Sequence, residues 1–206
     1  MESYTTIEGR AQAEIVEKKS RFIGQIAHVE TEEQALAFLN EIRAEHRMAR
    51  HNVYAYILRE GARIRYSDDG EPQKTAGMPT LQALEHAGLV DVACVVTRYF
   101  GGILLGTGGL VRAYTQATQA AIAAASTVTV SRCVEVMVEL PYSFYEQAVR
   151  LAEQAGAKVR DTSFTDSVTL QLLMLEGEQD ALVEKLVELT RGGIEVLVGE
   201  PIDAPF

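Results

Sequence analysis

The sequence predicts an α+β protein of two domains, and two features of the chain support this prediction. Helix-like and strand-like hydrophobic patterns alternate along the 206 residues, as in folds that pack helices on a sheet. Residues 1–130 hold 13 basic and 15 acidic side chains, whereas residues 131–206 hold 6 and 14. A shift in charge of this size indicates two modules, which we place at 1–130 and 131–206.

The first module mixes short strands with helices. Thr31 and Gln34 have the spacing of a capping box, so a helix is expected to begin at Thr31. Residues 92–96 are apolar throughout, as in a strand buried on both faces. In order, we predict strands at 13–17, 21–29, 52–59, 63–67 and 92–96, and helices from 31, at 79–87 and at 110–125.

The second module follows a regular order. Val134, Val136 and Val138 alternate with Glu135 and Glu139, which indicates a strand with one buried face. Helical spacing follows from residue 144, two strand-like runs occupy 158–164 and 168–175, and a second helix and a last strand complete the chain. The order β-α-β-β-α-β predicts a ferredoxin-like domain.

The overall composition excludes some classes of protein. The net charge of −10 argues against a uniformly basic surface for nucleic acid. Two cysteines, Cys94 and Cys133, cannot form a disulfide framework, and we expect both thiols to be structural. No signal peptide and no apolar run of membrane-spanning length is present, so we expect a soluble cytoplasmic protein.

A glycine-rich segment lies between the predicted strand at 92–96 and the following helix. Main-chain N–H groups at the start of a helix suit an anion, and Arg98 and Arg112 would add positive charge. The alternative is close packing that only glycine permits. Neither a Walker A loop nor a dinucleotide-binding fingerprint is present. The five glycines are Gly101, Gly102, Gly106, Gly108 and Gly109.

An acidic segment, SDDGEPQKTAG, covers residues 67–77. Its carboxylates, Asp68, Asp69 and Glu71, offer oxygen ligands to a cation such as Mg²⁺. The spacing of an EF-hand is missing, however, and we favour an Asp-Gly turn whose side chains cap main-chain N–H groups. We therefore predict no metal site and no cofactor.

A basic cluster accompanies this acidic segment, with Tyr54, Tyr56, Tyr66, Tyr99 and Phe100 among or near it. Arginine suits bidentate contacts with phosphate and stacking on bases. The alternative is a solvated face whose arginines pair with Glu45, Glu60 and the acidic segment. The cluster consists of Arg43, Arg47, Arg50, Arg59, Arg63, Arg65 and Lys74.

The histidines show no catalytic arrangement. We expect His28, His46, His51 and His86 to lie at the surface or in packing positions. Ser67, Asp68 and His51 could be drawn as a triad, but nothing in the sequence brings them together. No catalytic residue is predicted.

Three segments resemble the YigZ/IMPACT family: KKSRFIGQIAHV (residues 18–29), SDDGEPQKTAG (67–77) and RYFGGILLGTGGLVRAY (98–114). One departure is Lys74, where a small residue is expected. The resemblance implies a first domain similar to domain IV of elongation factor G, with a fold shared by a ribosomal protein domain. It implies a second domain similar to the ferredoxin-like domain V of that factor.

The resemblance also implies a non-enzymatic role in translation, through RNA, the ribosome or a regulatory protein. Our leading hypothesis is an RNA- or ribosome-binding protein. The alternatives are a protein-binding regulator of translation or stress, and an enzyme that uses a phosphate-bearing molecule or nucleotide. The predicted contact residues are Arg98, Tyr99, Gly101, Gly102, Gly106, Gly108, Gly109 and Arg112, with Arg50, Arg65, Asp68, Asp69, Glu71, Lys74 and Thr75 as accessory residues.

Overall fold

The computed structural model describes residues 3–206 and divides them into two units. The first unit comprises residues 4–128, and the second comprises Ser3 with residues 129–206. Both units combine helices with a sheet, so the predicted α+β class is confirmed. Within residues 3–206, no helix is long and apolar enough to cross a membrane.

The first unit is built around a five-stranded antiparallel sheet of order β2-β3-β6-β4-β5. Its elements are β1 (Tyr4–Glu8), β2 (Arg10–Glu17), β3 (Ser20–His28), α1 (Glu32–Glu45), β4 (His51–Leu58), β5 (Arg63–Ser67), α2 (Gly77–His86), β6 (Val92–Tyr99) and α3 (Gly106–Ala124). Strand β1 was not predicted, because its short sequence lacks a clear alternation. It lies beside Val90, whose N–H donates to the carbonyl oxygen of Thr5 at 3.0 Å.

Helices cover both faces of this sheet. The helices α2 and α3 pack on one face and α1 on the other, so successive residues of β6 enter two different cores. Val92, Cys94 and Val96 belong to the first core, and Ala93 and Val95 belong to the second. The uninterrupted apolar sequence of β6 follows from this burial on both sides.

The start of α1 follows the predicted capping chemistry with one difference. The hydroxyl oxygen of Thr31 accepts the N–H of Gln34 at 3.3 Å, as expected for an N-cap residue. The side-chain oxygen of Gln34 accepts the N–H of Glu30 at 2.7 Å instead of that of Thr31. Both bonds satisfy main-chain donors that a helix start would otherwise leave unpaired.

The second unit has the predicted succession β-α-β-β-α-β and one further strand. Its elements are β7 (Ser126–Leu140), α4 (Tyr145–Gln154), β8 (Lys158–Phe164), β9 (Val168–Leu175), α5 (Gln179–Leu189), β10 (Glu195–Val198) and β11 (Ile202–Pro205). The antiparallel strands lie in the order β10-β7-β9-β8, with both helices packed on one face. Strand β11 was not predicted; it pairs with β7 between residues 130 and 133.

Candidate nucleic-acid interface

The segments that the sequence singles out lie at one end of the five-stranded sheet. Glu17 pairs with Ser20 across the turn that joins β2 to β3, and Arg21 of β3 pairs with Tyr99 at the end of β6. His51, the first residue of β4, pairs with Arg98. Strand β5 also ends on this side, where the acidic segment begins. The glycine-rich loop, the acidic segment and the lysine turn at 18–19 therefore share one end of the unit.

A buried ion pair joins the two predicted motifs. Arg98 Nη1 lies 2.7 Å from Glu71 Oε1, and the side chains are 7% and 4% exposed. The hydroxyl of Tyr114, from α3, donates to the same carboxylate oxygen at 2.8 Å. The Cζ atom of Arg98 also lies 5.4 Å from the ring centre of Phe22. One carboxylate thus holds β6, α3 and the acidic segment together.

Arg98 was predicted to contact a ligand, but the structure buries its side chain. Arg98 follows Cys94 and Val96 at alternate positions of β6, and side chains two residues apart point to the same face of a strand. That face is covered by α2 and α3. The guanidinium is consequently enclosed, and its Nε atom has no hydrogen-bond partner within residues 3–206.

The acidic segment directs its carboxylates to main-chain donors. Asp68 accepts the N–H groups of Lys74, Ala76 and Gly77 at 2.8, 3.0 and 2.8 Å, which caps the start of α2. Asp69 accepts the N–H of Asn52 at 2.7 Å. The carboxylates of Asp68 and Asp69 thus cap main-chain N–H groups, as we predicted for an Asp-Gly turn. Residues 3–206 contain no cluster of three side chains that could hold a metal ion.

The segment also contains two positions with unusual backbone geometry. Asp69 and Lys74 have φ angles of +43° and +62°, in the left-handed region that favours glycine. Lys74 is exposed, whereas Thr75 is buried and donates its hydroxyl to the carbonyl oxygen of Pro72 at 2.6 Å. At this φ angle glycine is favoured over lysine, so Lys74 occupies a position where a residue without a side chain would be less strained.

The five glycines of the loop serve different purposes. A Cβ atom on Gly101 would lie 2.0 Å from the main chain of Lys19, so close packing requires this glycine. Gly102 and Gly106 have φ angles of +85° and +73°. Gly109 has only Leu105 nearby, and a Cβ on Gly108 would meet only the Arg112 side chain, at 3.7 Å. Packing therefore explains Gly101 but leaves Gly108 unexplained.

Positively charged side chains surround this loop. Lys18 and Lys19 are exposed at the turn between β2 and β3, and both have positive φ angles. Arg112 reaches over the first turn of α3, whose N-terminus is capped by no side chain of residues 3–206. A cleft of about 70 Å³ lies between Lys18 and Arg112, with Glu17 on its wall. This cleft opens beside the uncapped N–H groups of the helix.

The predicted arginine cluster is divided by the fold. Arg43 pairs with Asp69 at 3.0 Å as expected, while Arg59 and Arg63 pair with Asp91 and Glu32 instead of Glu45 and Glu60. Arg65 lies in the middle of β5. Among residues 3–206, several exposed cations at the end of the sheet that holds the two motifs have no ion pair. We call this set the cationic end: Lys18, Lys19, Arg47, Arg50, Lys74 and Arg112.

The chain is similar to known proteins along nearly its whole length. Residues 18–122 match the Impact N-terminal domain, and residues 138–192 match a domain of unknown function, DUF1949. The chain is 34% identical to the IMPACT family member YvyE of Bacillus subtilis over 201 residues, which cover 97% of this chain and 93% of that protein. The chain belongs to the IMPACT family.

A second relative and a solved structure are each similar to most of this chain. The IMPACT family member YigZ of Escherichia coli is 35% identical over 186 residues, covering 89% of this chain and 91% of that protein. A crystal structure described as that of a hypothetical protein is 33% identical and superposes with a TM-score of 0.62, covering 97% of this chain and 98% of that chain. The predicted YigZ/IMPACT membership is therefore confirmed.

Three of the four histidines of this IMPACT family chain make structural contacts, and His86 is exposed. His46 Nδ1 lies 2.9 Å from the hydroxyl of Tyr99, and His28 Nδ1 lies 2.9 Å from the hydroxyl of Thr6. His51 Nδ1 contacts the carbonyl oxygen of Asp69 at 2.9 Å. The hydroxyl of Ser67 accepts the N–H of Asp69 at 3.1 Å, so the bonds made by Ser67 and His51 are to the main chain and not to each other.

Several residues at this end were absent from the predicted contact set. Lys18 and Lys19 were quoted only as part of the family motif, although a lysine pair between two alternating strands signals a charged turn. Phe100 and Leu104 are 54% and 82% exposed. Tyr114 could not be found, because its role depends on Glu71, 43 residues away.

Proposed function

We propose that this IMPACT family chain is a non-enzymatic, translation-associated protein of the cytoplasm that binds RNA, free or within the ribosome, through the cationic end of its first unit. The translation association is supported by the resemblance of the amino-terminal motifs to a family whose fold is similar to domain IV of elongation factor G. The RNA ligand is supported by the charges of the site itself.

The observation that carries the proposal is the imbalance between free and internally bonded charges at this end. The carboxylates of Asp68, Asp69 and Glu71 are engaged by main-chain donors, Arg43, Arg98 and Tyr114. The six side chains of the cationic end pair with no carboxylate among residues 3–206, although Arg47 Nε donates to the carbonyl oxygen of Ala44 at 3.1 Å. A surface with free cations beside an uncapped helix start attracts phosphate groups.

The distribution of charge between the units also supports this placement. The sequence from residue 131 carries a net charge of −8, and the preceding part carries −2. A strongly acidic unit repels the phosphates of RNA. The contact surface is therefore assigned to the first unit alone.

The test is a binding titration with a structured RNA and with purified ribosomal subunits. We expect a double variant, Lys18→Glu with Lys19→Glu, to bind more weakly and to lose roughly one unit of the slope of log K against log salt for each lost phosphate contact. The control carries Arg150→Glu together with Lys185→Glu, which makes the same change of charge at exposed positions of α4 and α5. Equal affinities for wild type and the double variant, or no salt-sensitive binding at low ionic strength, would count against the proposal.

A second candidate is a protein-binding regulator of translation or stress. It is favoured by Met48 and Leu104, which are 88% and 82% exposed. Large exposed apolar patches mark protein interfaces, and these two side chains would contribute to such a patch. Affinity capture from a nuclease-treated lysate, compared between wild type and Leu104→Ser, tests it. A partner that is lost with the substitution supports this candidate, and the loss of every partner on nuclease treatment speaks against it.

A further inference from the structure

An aromatic ring stands exposed next to Gly101, which packs on the lysine turn of the cationic end. Phe100 follows the last residue of β6 and is 54% exposed, although burial of a phenylalanine ring is normally favourable. It belongs to neither core cluster of the first unit. The two hydrophobic cores of the first unit therefore give no reason for an aromatic residue at this position.

The main chain on both sides of Phe100 is fixed. Tyr99 is the last residue of β6 and pairs with Arg21 of β3. On the other side, the N–H of Gly101 donates to Ser20 Oγ at 3.1 Å, and Gly101 packs directly on the main chain of Lys19. The ring is thus presented from a rigid support, which reduces the entropy lost when a ligand contacts it.

The underside of the ring is supported by a buried cation. The Cζ atom of Arg98 lies 5.6 Å from the ring centre of Phe100. Arg98 is itself held by Glu71 at 2.7 Å and cannot follow the ring into solvent. A guanidinium at this distance is within the range of cation–π attraction. The exposed part of the ring remains free to receive a second flat group.

We propose that Phe100 is a stacking platform for one unpaired nucleobase, so that the preferred ligand of the cationic end is single-stranded or looped RNA. This inference rests on the proposed function and specifies its ligand. An unpaired base offers a free face for stacking on an aromatic side chain, whereas the bases inside a continuous duplex do not. The neighbouring lysines at 18 and 19 supply the cations that phosphates on either side of that base require.

The charges at this end favour RNA over an apolar protein surface. A protein partner would have to combine an apolar pocket with several acidic side chains to match both Phe100 and the surrounding cations. Every nucleotide of RNA supplies a flat base and a phosphate together. Leu104 is more exposed than Phe100 but has no aromatic face, and it provides a matched comparison on the same loop.

The experiment measures the affinity of the full chain for a short single-stranded RNA and for the duplex formed with its complement. We expect wild type to prefer the single strand and Phe100→Leu to weaken its binding by about ten- to a hundredfold, as for the loss of one base stack. Phe100→Tyr keeps the aromatic face and should retain the affinity, and Leu104→Ala should bind as wild type does. A 2-aminopurine base in the single strand should be quenched by wild type and Phe100→Tyr but not by Phe100→Leu.

The outcomes separate this inference from the proposed function. If Phe100→Leu binds the single strand as tightly as wild type while the Lys18→Glu, Lys19→Glu double variant does not, the stacking platform is wrong and the RNA-binding surface stands. A preference of wild type for the duplex also overturns the platform. If wild type binds neither RNA, the proposed function fails and the inference fails with it. Equal denaturant midpoints of Phe100→Leu and wild type show that a loss of binding does not come from misfolding.

Discussion

The buried contact between Arg98 and Glu71 yields the most demanding prediction about this fold. Both side chains are more than nine-tenths enclosed, and their atoms lie 2.7 Å apart. Replacing Arg98 by Met leaves the carboxylate of Glu71 without its cation, with the hydroxyl of Tyr114 as its remaining hydrogen-bond donor in this contact. An uncompensated buried charge typically costs about 3–5 kcal/mol of folding free energy.

The reverse substitution tests the same contact from the other side. In Glu71→Gln, the amide oxygen keeps an acceptor for Tyr114 but leaves the charge of Arg98 uncompensated. We again expect a loss of about 3–5 kcal/mol. The double variant removes both charges, so it should be at least about 2 kcal/mol more stable than the sum of the single losses predicts.

Denaturant unfolding, followed by circular dichroism, measures all four free energies of this cycle. The midpoints must be compared at equal m-values, so that the change reports stability and not a change in the unfolded state. Single losses below about 1 kcal/mol, or losses that add to within about 0.5 kcal/mol, would refute the reasoning. The buried pair would then contribute nothing specific to the connection between the two motifs.

Three further predictions concern the glycine loop, the thiols and the dependence on pH. Gly101→Ala should destabilise the first unit by about 1–3 kcal/mol because its Cβ would lie 2.0 Å from Lys19, whereas Gly108→Ala should be neutral or stabilising by up to about 1 kcal/mol in denaturant unfolding. Burial raises the pKa of Cys94 to about 12, so we expect no alkylation of Cys94 by iodoacetamide in the folded protein and full alkylation after unfolding, as measured by mass spectrometry. The hydrogen bond from Tyr56 holds the pKa of Glu32 below its ordinary 4.5, so its contribution to stability is present above that pH and is lost as the pH falls through the lowered value. The unfolding free energy of Glu32→Gln should therefore decline less than that of wild type between about pH 5 and pH 3.

Each of these predictions has a contradicting result. Equal stabilities of the Gly101→Ala and Gly108→Ala variants would show that the loop does not pack on the lysine turn as described. Alkylation of Cys94 at the rate of a free thiol in the native protein would contradict its burial in β6. An identical decline of stability for Glu32→Gln and wild type on acidification would show that the lowered pKa of this carboxylate does not contribute.

Most elements of the second unit were predicted, because its first strand alternates and its helices show helical spacing. Strands β8 and β9 have the predicted boundaries, and the first strand was recognised from Val134, Val136 and Val138. Strands β1 and β11 were missed, since each has only four or five residues and no repeated pattern. Short strands acquire their structure from partners that are distant in sequence.

The candidate site shows the limit of local patterns more clearly. Both motif segments were recognised from their residue types, and the start of α1 followed from Thr31. The burial of Arg98 could not be predicted from neighbouring residues, because it depends on the face of β6 that α3 covers and on Glu71, 27 residues earlier in the chain. Arg59 and Arg63 pair with Asp91 and Glu32 for the same reason: pairing of charges is fixed by tertiary structure.

Amide hydrogen exchange of the full chain, with and without bound RNA, tests the central claim most directly. The method reports which main-chain N–H groups a ligand covers, without altering any residue. We expect RNA to slow exchange at residues 17–20 and 101–109. These residues form the lysine turn and the loop that leads into α3, beside the side chains of the cationic end. Protection confined to residues 129–206, or unchanged exchange at concentrations where the RNA is bound, would contradict it.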